Sequence, residues 1–211
     1  MKKKRIFSAL AALLMCLSLP VFASASQAVE PRFASGVRWD ECPSTVYFYC
    51  NDNIQNSYKT IIRYAMNKWN AVKTPNGDSM ITLALTTDTS KTNNEIRYDV
   101  LGSGAAGYMD PGTGLSETTE DRVVFTYTDI ILSNKVSWST TGASNAYDVQ
   151  TVIEHELGHA LGVAHCHEPN TRTKCYSSTC LKNVMNPDIT VGQKRTTLQE
   201  YDKSSYTLIY W

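Results

Sequence analysis

Apolar positions along this chain change their spacing from stretch to stretch, and each spacing predicts an element. From Asn56 to Val72 the residues Ile61, Ile62, Ala65, Met66 and Trp69 recur at three and four, which predicts an amphipathic helix. Pro75-Asn76-Gly77 ends it. Before that helix Val46-Tyr47-Phe48-Tyr49, β-branched and aromatic, predicts a strand. Three further strands are predicted at Met80 to Leu85, Glu95 to Val100 and Val123 to Leu132, with a glycine- and acid-rich loop from Gly102 to Asp121 between the last two. A second helix runs from Asp148 as its cap to Gly162 as its stop. On it Val149, Ile153, Leu157, Ala160 and Leu161 take one side. His155 and His159 take the other, about 40° apart at about 100° per residue.

The N-terminus is patterned differently. Lys2, Lys3, Lys4 and Arg5 precede an apolar run from Ile6 to Leu19, followed by Pro20 and the small residues Ala23-Ser24-Ala25, the order of a secretory signal peptide. The run is shorter than the roughly 20 residues that span a bilayer. Residues 1–25 are therefore expected to be removed, leaving a secreted, extracellular chain with no membrane association. A lipid-modified cysteine at Cys16 is the alternative, although Met15 before it is not the small residue such signals favour. Residues 26–37 form a short polar lead, and 38–211 a single domain, since the mature chain of about 186 residues has material for one real core.

Composition adds the compartment and removes one class of partner. The whole chain has 20 Lys and Arg against 20 Asp and Glu; losing four basic residues with the signal leaves 16 minus 20, about −4. Lysine and arginine form no patch, which argues against a nucleic-acid partner. Five cysteines remain, Cys42, Cys50, Cys166, Cys175 and Cys180, in a chain sent to oxidising surroundings. Two of the last three are expected to be joined. A Cys166–Cys180 bond would close a 15-residue loop and contribute about 3 kcal/mol. Cys42 and Cys50, separated by one short strand, form the expected second pair.

The chemistry concentrates in HELGHALGVAH, His155 to His165, which satisfies H-E-x-x-H-x-x-G-x-x-H. Two histidines one turn apart can share a metal, and Glu156 beside the first can reach a water on that metal and act as its base. Gly162, lacking a Cβ, lets the chain turn sharply and return His165 as the third ligand. H-E-x-x-H alone arises by chance in roughly one chain in a few hundred, and the added glycine and histidine lower that about a thousandfold. All four histidines fall between 155 and 167; His167 breaks the spacing to Gly162. Three protein ligands leave a position for water, the pattern of one catalytic zinc. Asp110, Glu117, Glu120 and Asp121 offer oxygen donors for a calcium ion in the acidic loop.

From about Trp39 to Trp211 the chain resembles the metzincin metallopeptidases, and most of all the matrixins in a secreted, bacterial-type form. Besides the zinc motif, Asn183-Val184-Met185-Asn186-Pro187 is similar to the family's methionine turn, with Met185 as its methionine. Asp129 to Leu132 with Trp138, then Ala146 to Val149, are matrixin-like, and Leu198 to Tyr210 would be the closing helix. The resemblance implies an α+β zincin-like fold: a mixed five-stranded sheet, a long helix in the N-terminal half, the zinc helix, the methionine turn and a C-terminal helix. It also implies a monomeric zinc endopeptidase that takes a peptide or protein substrate along the edge strand Gly104-Ala105-Ala106-Gly107-Tyr108. The chain departs from its relatives in four places. Pro187 stands where astacin-like enzymes have a ligand tyrosine, Cys166 follows the third histidine, no histidine is left for a structural zinc, and Pro31-Arg32-Phe33 lacks the cysteine that keeps matrixin zymogens latent. Two other classes fit the same residues: a zinc hydrolase acting on a non-peptide amide of the cell-wall kind, and a non-catalytic secreted zinc-binding protein.

Overall fold

The computed structural model describes residues 38–39, 42–102, 104–111, 115–117, 123–167 and 178–211. The expected signal peptide and lead lie outside the described residues, as do Cys16, Glu120, Asp121 and Cys175. In chain order the elements are β1 (Arg38–Trp39), β2 (Thr45–Cys50), α1 (Asn56–Asn70), β3 (Thr82–Thr86), β4 (Glu95–Asp99), β5 (Gly107–Asp110), β6 (Leu115–Glu117), β7 (Val123–Phe125), β8 (Asp129–Ser133), β9 (Trp138–Ser139), β10 (Tyr147–Asp148), α2 (Val149–Ala160) and α3 (Glu200–Tyr210).

Five of these strands make the expected mixed sheet, in the order β3-β2-β4-β8-β5. The first four run parallel, and β5 closes the edge antiparallel to β8. Strand β2 alternates, with Val46, Phe48 and Cys50 turned to the core, whereas β8 buries Ile130 to Ser133 in succession, as an inner strand covered on both faces does. The apolar run from Val123 to Leu132 is therefore two strands. Thr128 interrupts it, buried with its N–H donating to Asn94 Oδ1 at 2.8 Å, and β7 joins β1 and β6 in a separate three-stranded sheet. The stretch read as a loop holds both β5 and β6. Continuous hydrophobicity records burial and does not say which sheet buries it.

Helix α1 packs on α2 through the predicted face, with Ile62, Ala65, Met66 and Trp69 almost fully buried. Trp69 ties the two together: its indole N–H donates to Glu154 O at 2.9 Å, and its ring meets Tyr206 of α3 edge-on at 5.7 Å. Trp39 donates from β1 to Ala160 O at 2.8 Å. The zinc-motif helix is thus walled on nearly every side. Besides its apolar face, Glu154, His155 and Glu156 are all buried, so the two-faced reading of α2 gives way to a helix running through the core. Asp148 caps it as expected, Oδ1 accepting from Thr151 N at 2.9 Å. Among the described residues no helix is long and apolar enough to cross a membrane.

Neither Cys42–Cys50 nor Cys166–Cys180 is a disulfide: Cys42, Cys50 and Cys166 are free thiols. For Cys42 and Cys50 the cause is the strand between them. Cys50 ends β2 facing the core while Cys42 is exposed ahead of it, and an extended strand advances about 3.3 Å per residue, carrying one thiol away from the other.

Candidate active site

Helix α2 ends where the motif requires. Gly162 has φ +85°, open to glycine without strain, and the turn is sealed by Gly162 N–H donating to His159 O at 2.8 Å and Val163 N–H to Gly158 O at 2.9 Å. The chain then doubles back, and Tyr201 of α3 holds the returning segment by donating its hydroxyl to His165 O at 3.0 Å.

This brings the three imidazoles together. The Nε2 atoms of His155, His159 and His165 lie 3.0 to 3.1 Å from one another. His155 Nδ1 faces Val184 O at 2.8 Å and His159 Nδ1 faces Val163 O at 2.9 Å. A carbonyl only accepts, so in each ring Nδ1 carries the hydrogen and Nε2 the lone pair. Burial keeps both rings neutral, His159 being lowered to about 3 and His155 well below its usual value, each mainly through loss of water and then through its neighbouring imidazoles. The His155 and His159 Nε2 atoms therefore have no proton to share across a 3.1 Å gap. Such a donor set suits a cation, and imidazole nitrogens are common ligands of zinc.

Glu156 is buried beside them, its carboxyl pushed up to about 8 by desolvation and opposed by a backbone hydrogen bond from Met109. Met185 is fully buried. Its sulfur sits so close to Gly158 that a Cβ there would overlap Sδ and come within 2.8 Å of Trp69 Cζ2. Sequence reading passed over Gly158, a variable position of the motif. It also missed the two residues that hold the methionine turn. Asp202 accepts from Val184 N and Met185 N, both at 3.0 Å, while Arg195 donates to Asn183 O and Asn186 O, both at 3.1 Å. Asp202 had a local signal, because it closes a capping box with Gln199 at the start of α3. Arg195 had none.

The cluster opens into a cleft of about 770 Å³, lined by all five residues Gly104 to Tyr108 together with Tyr147, Pro187 and Ile189. Another cavity, about 710 Å³ between α1 and α3, holds none of these groups. Of the five edge residues only Gly107 and Tyr108 fall within β5. Ser133 N–H donates to Ala106 O at 2.8 Å, and with Gly107 opposite Leu132 and Tyr108 opposite Ile131, the alternation of an antiparallel pair turns the main-chain groups of Ala106 and Tyr108 towards β8. Those of Gly107 and Met109 face the open edge. His167 stays out of the trio. With Cys166 and Cys180 it forms a second buried group of potential ligand atoms, Cys166 Sγ lying 3.0 Å from Cys180 Sγ. Of the four acids read as calcium donors, Asp110 alone has a described side chain, and it joins no group of three potential ligands among the described residues.

A zinc helix under a mixed sheet, with an open cleft along the sheet edge, is the architecture of a zinc metalloendopeptidase. The matrixin family model matches residues 39–211, and the chain belongs to that family. No curated protein matches the chain.

Proposed function

We propose that this protein is exported and hydrolyses peptide bonds, with His155, His159 and His165 holding the zinc and Glu156 serving as general base. The observation that carries the reading is the convergence of three Nε2 atoms within 3.1 Å next to a buried carboxyl. Bound there, zinc would supply Lewis acidity, polarising a carbonyl and lowering the pKa of a water towards about 7. A cation at that point also favours the ionised carboxylate of Glu156. Glu156 takes the proton of the attacking water and returns it to the departing amine. The open edge of β5 offers main-chain groups to an extended peptide, so the substrate adds as a further strand in the cleft. Export rests on the pattern of residues 1–25. We also read Cys180 as half of a disulfide.

The test is Glu156→Gln, which keeps the shape but cannot accept the proton. Zinc should stay at about one per chain, as one three-histidine site implies, while kcat falls about 10²- to 10⁴-fold. His159→Ala should lose the metal itself. A zinc-loaded Gln variant that cuts peptides within a few-fold of the parent rate defeats the assignment.

A further inference from the structure

We infer that β5 is built to position the general base: the main-chain N–H of Met109 and the missing side chain of Gly107 together set where the Glu156 carboxylate sits. The inference rests on the reading of Glu156 as the base and adds two residues to it. Strand β5 uses the main chain of Ala106 and Tyr108 on β8, which leaves the groups of Gly107 and Met109 on the open edge. One of those open donors, the Met109 N–H, faces the Glu156 carboxyl and favours its ionised form. The edge strand is therefore divided in its duties, with part of it free for a substrate and part given to the base.

Gly107 makes that approach sterically attainable. A Cβ at this position would lie 2.5 Å from Val152 Cγ1, 2.9 Å from Glu156 Oε1 and 3.1 Å from Glu156 Cγ. The residue is not among those with positive φ, so its backbone is open to any amino acid. Space alone calls for glycine. Two of the three nearest atoms belong to Glu156, so any larger residue must displace either β5 or the carboxylate. Displacement of a reacting group by about 1 Å can cost about 100-fold in rate.

Gly107→Ala tests this in the zinc-loaded enzyme. The expected result is a kcat at least tenfold lower, with KM within threefold and zinc content unchanged. Adding Val152→Ala removes the 2.5 Å contact and should restore the melting temperature while kcat stays low, because the contact with Oε1 persists. Met109→Pro deletes an N–H that β8 does not use and should lower kcat similarly. If Gly107→Ala does not fold, the double variant is compared with Val152→Ala alone: a tenfold lower kcat supports the inference, and equal rates overturn it. A Gly107→Ala kcat within threefold of the parent, or a kcat that recovers together with the melting temperature in the double variant, also overturns it. The two readings fail separately. An active Glu156→Gln enzyme removes the base whatever Gly107 does, whereas a dead Gln variant beside a fully active Gly107→Ala removes only the positioning.

Discussion

Replacing Asp202 with alanine should loosen the metal centre without touching it. The carboxylate is fully buried and accepts three backbone N–H groups: Val184 and Met185 at 3.0 Å, and Gln199 at 2.7 Å. After truncation the half-buried Gln199 amide can find water. Val184 and Met185 cannot, being 1% and 0% exposed. Each stranded donor costs about 1–3 kcal/mol, so the fold loses about 2–6 kcal/mol from a total of about 5–15. In a domain of this size each kcal/mol moves the melting temperature by about 2–4 °C, which gives a drop of about 5–20 °C. The consequence for the metal runs through Val184, whose carbonyl orients His155 by accepting from Nδ1 at 2.8 Å. Loss of such an outer partner typically weakens metal binding by about 10–100-fold. Thermal melts of zinc-loaded and metal-free protein, with a chelator competition for zinc affinity, measure both effects. Asp202→Asn keeps the volume and removes part of the acceptor capacity, so a loss there assigns the effect to hydrogen bonding rather than to a cavity. A melting temperature within 2 °C of the parent, as the lower bound of about 5 °C requires, together with unchanged zinc affinity, would refute the reasoning.

Glu154 is fully buried with Oε1 unpaired, and burial pushes its carboxyl up to about 7, with Lys68 opposing. The folded state keeps a proton that the unfolded chain releases near 4.5, so its contribution is whole below that value and is lost as pH rises through about 7, a loss of about 3 kcal/mol at 1.36 per pH unit. Glu154→Gln should flatten that fall, and urea titrations at pH 5 and pH 8 check it; equal pH dependence in both proteins counts against it. Gly158→Ala forces a methyl against Met185 and Trp69 and should cost about 1–3 kcal/mol, seen as a lowered denaturation midpoint. A midpoint at the parent value would mean the turn yields freely.

The histidine cluster was legible in the sequence because its specification is local. His155 and His159 share a face of one helix, Asp148 caps that helix through its own side chain, and Gly162 ends it by a positive φ only glycine adopts without strain. Each depends on spacings of a few residues, which a linear pattern records. The resemblance carried the mixed sheet and the closing helix, including the methionine turn between them. Tertiary structure decided the rest, since the relevant partners lie far apart along the chain. The run from Val123 to Leu132 reads as one strand because both halves are apolar, yet Asn94 and β1 divide it between two sheets. Cys42 and Cys50 are close in sequence and kept apart by an extended strand. Asp202 and Arg195 hold the methionine turn by satisfying its amides and carbonyls, and Gly107 matters for the space it leaves beside Glu156. Hydrogen-bond satisfaction and close packing are settled only when distant segments meet, and for that reason no reading along the chain could have assigned them.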